Sequence, residues 1–224
     1  MKIISSALIA SFLVFGSAYG VYANSLVNGS FEDLAITPGT FQILNESLVS
    51  GWHTTATDQQ MEIWNNYNFF GSGVVPADEG NQFIELNANL VAAVYQDLSG
   101  FNVGDNLLWS FAHRGRQGDD TVGFVITESG LDGVLDTLDD LIKDFGGFTD
   151  NTAWSTYTGH FTASFSGPMR FSWVSLGYTS ASVGNFLDHA ILEIDTNPVP
   201  EPATMLLFGT GIAALAGIRL KRKK

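Results

Sequence analysis

Residues 24–197 are built from short apolar stretches separated by clusters of Gly, Asn, Asp and Ser, and no helical repeat persists among them. Residues 82–87 and 108–113 alternate with a period of two, as half-buried strands do. This pattern predicts an all-β fold, a jelly-roll β-sandwich of two sheets with bulky Phe and Trp side chains between them. The predicted strands are 25–31, 60–64, 82–87, 92–98, 106–113, 121–127, 154–163, 169–176 and 186–195.

Residues 128–151 interrupt the strand pattern, because aspartates alternate there with leucines and valines. We predict a long acidic loop with a short helix over 135–145. The acidic spacing does not match an EF-hand loop, which places ligands at alternate positions and ends on Glu. A solvated acidic loop and a calcium-binding loop both stay open.

The two ends carry apolar segments of a different kind. Residues 1–23 have a positive Lys2, an apolar stretch and a small residue at Ala23, as in a secretory signal peptide. Near the C-terminus, prolines precede an apolar run over 203–218 and a basic tail over 219–224. The run is shorter than the roughly 20 residues that span a bilayer comfortably, and the basic tail should stay cytoplasmic. The alternatives are a buried N-terminal helix and an ordinary single-span anchor.

The charge is distributed unevenly around these segments. The formal net charge is −13, yet Lys2 and the tail hold most of the basic residues, so the body between the ends is more acidic than that figure suggests. Such a surface repels nucleic acid and anionic lipid and attracts divalent cations, although acidity also simply keeps an exported protein soluble. The absence of cysteine excludes thiol chemistry and Cys-ligated zinc. The basic residues of the body are Arg114, Arg116, Lys143 and Arg170.

The segment Val199-Pro200-Glu201-Pro202, followed by the apolar run and the basic tail, resembles the PEP-CTERM sorting signal over 198–224. The resemblance implies a Gram-negative host, export by the general secretion machinery and a transient tether in the inner membrane. It also implies processing by an exosortase-type membrane protease. The expected destination is the cell surface or the biofilm matrix, which is rich in exopolysaccharide.

The body resembles a galactose-binding-like jelly roll in residues 26–32 (LVNGSFE), in Gly51-Trp52 and in residues 184–188 (GNFLD). Carbohydrate-binding modules and bacterial surface or adhesin-type domains share this layout. The resemblance implies a structural calcium ion between the first and last strands, and the matching positions are Glu32 and Asp188. Oxygen ligands suit this cation. The alternative is a pair of surface carboxylates without a metal.

Several polar side chains lie next to aromatic residues in the predicted strands, as sugar-binding sites require. In the segment 113–116, arginines could hold an acidic sugar through two-pronged hydrogen bonds, or could pair internally with Glu62, Glu85 or Asp119. Both interpretations stay open. The candidate ligand-binding residues are Trp52, His53, Trp64, Glu85, Asn87, His113, Arg114 and Arg116.

The sequence contains no zinc-binding HExxH motif, no nucleophile elbow, no Walker motif and no GxGxxG after a strand. Glu62 and Glu85 could form a glycosidase pair, but nothing ties them together. We therefore predict a non-enzymatic exported protein that binds or organises exopolysaccharide. The alternatives are an adhesive or structural surface protein with protein partners, and a glycan-active hydrolase.

Overall fold

The structure is a computed structural model, and it describes residues 25–66 and 74–195. The predicted signal peptide over 1–23 and the predicted sorting segment over 198–224 lie outside the described residues. No helix in the described part of the chain is long and apolar enough to cross a membrane. The strands are β1 (Thr40–Asn45), β2 (His53–Thr54), β3 (Gln60–Asn65), β4 (Gln82–Glu85), β5 (Ala93–Phe101), β6 (Asn106–Gly115), β7 (Asp120–Glu128), β8 (Leu141–Asp150), β9 (Ser155–Thr162), β10 (Gly167–Gly177) and β11 (Asn185–Asp195), with a short 3₁₀ helix at Glu46–Leu48.

The strands form two sheets. The six-stranded sheet has the order β1-β3-β4-β11-β6-β9, and the five-stranded sheet has the order β2-β5-β10-β7-β8. Neighbouring strands are antiparallel in both sheets. The all-β, two-sheet jelly-roll prediction is therefore confirmed.

Aromatic side chains fill the space between the sheets. Trp173 on β10 packs against Trp52, with ring centroids 5.3 Å apart, and against Phe124 on β7, with centroids 5.0 Å apart. The six-stranded sheet contributes Ile63 and Ile84, which are also buried. The burial of these bulky side chains stabilises the sandwich through the hydrophobic effect.

The six-stranded sheet also carries apolar side chains on its other face. Trp64, Phe83 and Phe186 form a second buried cluster there, and Trp154 packs on it. Trp154 covers this cluster, and its indole nitrogen donates to the carbonyl of Pro76 at 2.8 Å, which holds the ring in place. Part of this outer face is therefore a small core and not a solvent-exposed surface.

Two expectations about individual elements are wrong. The predicted strand over 25–31 consists of turns, and Asn28 and Phe31 have φ of 52° and 57°. The predicted helix over 135–145 does not form; turns over 131–139 lead instead into β8, a long edge strand. Strands β1 and β2 were not predicted. Strands β1 and β8 lie at sheet edges and are largely exposed. Because neither strand has a fully buried face, its sequence lacks the alternation of hydrophobic and polar residues by which strands were predicted.

The N-terminal end of the described chain is fastened to the last strand. The amide of Ser25 donates to the carbonyl of Leu192 at 2.7 Å, and the amide of Ala190 donates to the carbonyl of Gly29 at 2.9 Å. Strand β11 lies inside the six-stranded sheet between β4 and β6. The first and last described segments of the sandwich are thus neighbours.

Candidate functional site

The outer face of the five-stranded sheet carries an open groove of about 420 Å³. Strands β5, β10 and β7 form its floor, because the side chains that point away from the core on these strands point into it. It combines apolar side chains, hydroxyl groups, one aromatic ring and one guanidinium. The lining residues are Thr55, Val91, Ala92, Ala93, Tyr95, Val125, Arg170, Ser172, Val174 and Ser175.

Tyr95 and Arg170 are in contact with each other within the groove. The register of β5 and β10 pairs Tyr95 with Ser172 and Arg170 with Asp97. The guanidinium carbon of Arg170 lies 4.2 Å from the centroid of the Tyr95 ring, a cation–π contact. One face of the tyrosine ring is therefore held in place by the arginine.

Two aspartates hold Arg170 in turn. Its Nε and Nη2 donate to the two carboxylate oxygens of Asp97 at 2.7 and 2.8 Å. Its Nη1 and Nη2 donate to Asp136 at 2.7 and 3.1 Å. Asp136 lies in the 131–140 loop, the part of the predicted acidic loop that precedes β8. These two forked pairs fix the orientation of the guanidinium and tie the acidic loop to the sheet.

The environment of the groove shifts the pKa values of Arg170 and Tyr95. The hydrogen bonds that Arg170 donates to Asp97, with those to Asp136, raise its pKa further above its usual range. Burial raises the pKa of Tyr95, and the nearby carboxylates of Asp97, Glu46 and Asp136 raise it further against the opposing effect of Arg170. At neutral pH the tyrosine hydroxyl is thus a neutral donor and acceptor.

Two predicted ligand residues lie near this sheet, in different environments. His53 on β2 is paired with Tyr95, its ring centroid is 5.4 Å from that of the tyrosine, and about half of its side chain is exposed. Trp52 is 1% exposed, and its Nε1 donates to the carbonyl of Asn28 at 2.9 Å. Because Trp52 packs in the core between the sheets, its ring has no face open to a sugar, and we do not retain it as a ligand residue.

The structure brings three other predicted residues together on the outer face of the six-stranded sheet. The Nη1 of Arg116 donates to Oε2 of Glu85 at 2.7 Å and to the carbonyl of Ser182 at 3.1 Å. The Arg116 guanidinium carbon lies 4.8 Å from the Trp64 ring centroid. Of the two interpretations of segment 113–116, internal pairing with Glu85 is the one found here.

Glu62 joins this cluster from the neighbouring strand. Both glutamates are buried, and the register of β3 and β4 places them directly opposite each other. Burial raises the pKa of Glu62 to about 7, with Arg116 opposing. Burial raises the pKa of Glu85 to about 8, and the charge of Glu62 adds to that effect. A hydrolase needs two carboxylates that reach solvent and substrate, and this pair is closed off.

Arg114 and Asn87 are also buried in this region. The Arg114 guanidinium carbon lies 5.8 and 5.9 Å from the ring centroids of Trp154 and Phe186, and burial lowers its pKa. The Nδ2 of Asn87 contacts the carbonyl of Ser180 at 3.4 Å. Both side chains support the fold locally and do not line an open surface.

His113 lies on the opposite, core-facing side of β6. Its Nδ1 lies 2.7 Å from Oδ2 of Asp150, and its Nε2 lies 2.7 Å from Oδ1 of Asn185. The hydroxyl of Tyr157 donates to the same Asp150 oxygen at 2.8 Å. Burial lowers the pKa of His113, and the hydrogen bonds oppose that effect. Since β8 and β6 belong to different sheets, this network joins the two sheets.

The two predicted calcium ligands both bind backbone amides of the 78–82 segment. Oδ2 of Asp188 accepts from the amides of Asp78 and Glu79 at 2.8 and 3.0 Å. Oε1 of Glu32 accepts from those of Asn81 and Gln82 at 2.5 and 2.6 Å. Among the described residues, no group of three or more His, Cys, Asp or Glu side chains is arranged to hold a metal. N–H donors thus contact an oxygen of each carboxylate, and calcium at this pair stays a prediction.

Sequence reasoning missed the groove around Tyr95 and Arg170. A signal for it exists in 169–174, where Arg170 and Ser172 alternate with Met169, Phe171 and Trp173. The large side chains are buried, so the polar ones mark the outer face. The partners of Arg170 come from two distant segments, and no spacing in the sequence links them.

Residues 198–223 match the family model described as the PEP-CTERM protein-sorting motif. The motif marks an exported protein that is transiently anchored in a membrane and is processed by an exosortase. No curated protein matches the chain.

Solved structures of carbohydrate-binding modules resemble the body. The CBM22-1-CBM22-2 tandem domain of Xyn10C from Paenibacillus barcinonensis has 12% identity and a TM-score of 0.50, over 83% of this chain and 50% of that one. The CBM22-1 xylan-binding domain of the same protein has 11% identity and a TM-score of 0.48, over 74% and 91%. The CBM22-1-GH10 modules of Clostridium thermocellum Xyn10B have 13% identity and a TM-score of 0.48, over 80% and 29%.

At such identities the likeness concerns the fold, and this chain spans half the length of the tandem structure. The tandem structure consists of binding modules, and its likeness to this chain supports the two-sheet sandwich as a shared fold. The chain thus joins a PEP-CTERM sorting motif to a body with the jelly-roll fold of carbohydrate-binding modules.

Proposed function

We propose that the exported body binds a polysaccharide in the groove of the five-stranded sheet and does not cleave it. The observation that carries the proposal is the groove itself, which presents the Tyr95 ring beside a fixed guanidinium and the hydroxyl groups of Ser172 and Thr55. Sugar rings stack on aromatic side chains, and their hydroxyls require donors and acceptors at the same surface. The jelly-roll fold of known carbohydrate-binding modules supports the same ligand class.

The sorting motif supports a destination for this binding activity. Processing by an exosortase-type protease would deliver the body to the cell surface or biofilm matrix of a Gram-negative bacterium, where exopolysaccharide is abundant. Replacement of Pro200, Glu201 and Pro202 by alanine tests this step in the host. We expect the unprocessed protein to accumulate in the inner membrane, detected as a larger mass in membrane fractions. Normal release of the variant into the matrix would contradict the assignment.

Affinity electrophoresis in gels that contain host exopolysaccharide tests the binding itself. The exported protein should be retarded, and Tyr95→Ala should weaken binding about tenfold, since loss of an aromatic stacking platform removes on the order of 1 kcal/mol or more. Tyr178→Ala is the matched control, because Tyr178 is exposed and does not line the groove. Equal retardation of the two variants would place binding elsewhere, and no retardation of the native protein would end the proposal.

A second candidate function, adhesion to a protein partner, rests on a different surface. Leu131, Val134 and Leu138 are exposed on the acidic loop, and Leu138 is fully so. The loop leads into β8, whose outer edge has no neighbouring strand among the described residues. Sedimentation at rising protein concentration discriminates the two functions. Association that Leu138→Asp abolishes, and that polysaccharide leaves unchanged, would favour adhesion.

The hydrolase alternative has a direct test as well. Glu62 and Glu85, which could serve as its acid and base, are buried at the outer face of the six-stranded sheet and do not line the groove. We expect no release of reducing ends from any polysaccharide that the protein binds. Release that disappears in Glu85→Gln would overturn the non-catalytic proposal.

A further inference from the structure

The groove face is surrounded by carboxylates. Asp97 on β5 and Asp136 from the acidic loop flank Arg170. Asp144 on β8 is paired with the groove residue Val125, and directly paired residues share one face of a sheet. Glu46 lies near the other edge, where its Oε2 accepts from the amide of Thr54 at 2.7 Å and its Oε1 lies 3.7 Å from Nδ1 of His53.

Positive charge at this face is small and already balanced. Arg170 is the cation among the residues that line the groove, and it forms salt bridges with both Asp97 and Asp136. Lys143 is paired with Ile126, a core residue, so it belongs to the opposite face of the sheet. Arg114 is buried and Arg116 is partly buried at the six-stranded sheet.

The balance therefore leaves surplus negative charge next to Tyr95. The carboxylates of Asp97 and Asp136 keep partial access to solvent, with 37% and 71% of their side chains exposed. Their oxygens have lone pairs beyond those that Arg170 uses, and each can accept a further hydrogen bond. An anionic sugar would meet repulsion here, whereas an ammonium group would meet both charge and acceptors.

We infer that the groove selects a glycan that carries protonated primary amines, such as a hexosamine polymer whose N-acetyl groups have been removed. This inference rests on the proposed function, since it names the ligand class of the same groove. The sugar rings stack at Tyr95, and the ammonium groups contact the surrounding carboxylates. Anionic polysaccharides are excluded by the same charges.

A matched pair of ligands tests the inference. Binding of the exported protein to a β-1,4-linked glucosamine hexasaccharide and to its fully N-acetylated counterpart is measured by calorimetry at about pH 6, where the amines are protonated. At about 20 mM salt we expect the free-amine form to bind at least about fivefold tighter, since each exposed charge pair contributes a fraction of a kcal/mol. At about 300 mM salt the difference should shrink towards unity, because the screening length falls below about 10 Å.

Asp144→Asn tests whether the charges of the groove are responsible. The asparagine oxygen can still accept from the amide of Gly146, which Asp144 binds at 2.8 Å, so the local turn is kept. We expect this variant to lose about half of the preference for the free-amine form. Asp33→Asn is the control, because Asp33 is exposed and does not line the groove. An equal loss in both variants would attribute the effect to overall charge and would overturn the inference.

The remaining outcomes separate the inference from the proposed function. If both hexasaccharides bind equally and Tyr95→Ala weakens both, the groove binds glycan but does not select amines. A preference for the N-acetylated form, or for an anionic glycan such as polygalacturonate, also overturns the inference alone. If Tyr95→Ala changes binding of no glycan tested, the proposed function fails as well.

Discussion

Glu62 and Glu85 lie directly opposite each other on adjacent strands, and both are buried at the outer face of the six-stranded sheet. Like charges at such a position repel, and burial disfavours both ionised forms. Arg116 offsets part of this cost through its contact with Glu85 at 2.7 Å. One arginine between two glutamates favours a state in which the pair retains a proton at neutral pH.

This pair makes the stability of the fold depend on pH. The raised pKa values mean that the folded state binds more protons than the unfolded state between the ordinary glutamate value and about 7 to 8. The free energy of unfolding should therefore be highest near pH 5 and fall as pH rises to about 8. Asp188, whose pKa burial raises to about 7, acts in the same direction. Urea denaturation across this range measures the trend.

Glu62→Gln isolates the contribution of the pair. The substitution removes one of the two charges and leaves the contact between Arg116 and Glu85 intact. We expect the variant to be more stable than the native protein at pH 8, by on the order of 1–2 kcal/mol, with little difference at pH 5. Glu193→Gln, at an open surface concavity, is the control and should show no such pH-dependent gain. A Glu62→Gln variant that is less stable at pH 8 would contradict this account.

Arg170 should hold the acidic loop against the sheet. In Arg170→Lys the forked pairs with Asp97 and Asp136 are lost while the charge is kept. We expect faster cleavage of the 131–140 loop by thermolysin, which cuts before the exposed leucines, and weaker glycan binding because Tyr95 loses its fixed neighbour. A variant as resistant as the native protein would show that the loop is held by its internal hydrogen bonds.

Asp150 should matter more to stability than its position near the end of β8 suggests. Its Oδ2 serves both His113 and Tyr157, so Asp150→Ala leaves a buried imidazole and a partly buried hydroxyl without their acceptor. We expect a loss of about 3 kcal/mol, against about 1 kcal/mol for Tyr157→Phe, which removes one hydrogen bond. Urea denaturation of the two variants and of their combination gives the comparison. Additive losses would mean that the two residues are not coupled through Asp150.

Calcium binding at Glu32 and Asp188 can be tested by thermal unfolding. An ion held by Glu32 and Asp188 should raise the melting temperature when calcium replaces a chelator, and Asp188→Asn should abolish that rise. The measurement is a thermal unfolding scan of the exported protein in both conditions. A melting temperature that chelator leaves unchanged would assign both carboxylates to the amides of the 78–82 segment alone.

The sequence predicted the fold better than the site, for physical reasons. The central strands are buried, so residues such as Trp173 and Phe124 produce a strong hydrophobic pattern. Strand β8 is exposed, and its pattern resembles a loop. The spacing of segment 113–116 could not show that Arg116 turns inward to Glu85. Nor could it show that Tyr95 meets Arg170, because that contact depends on strand pairing between segments far apart in the chain.

The position of β11 determines how the body would carry a mechanical load while its C-terminus is tethered. The tether joins the sandwich just after an interior strand that is paired with both β4 and β6. A pull along this strand would have to shear hydrogen bonds on two sides at once, whereas an edge strand could be peeled away bond by bond. The attachment of Ser25 to Leu192 adds a further bond to the same strand. A load applied through the C-terminus would therefore act on an interior strand and not on an exposed edge strand.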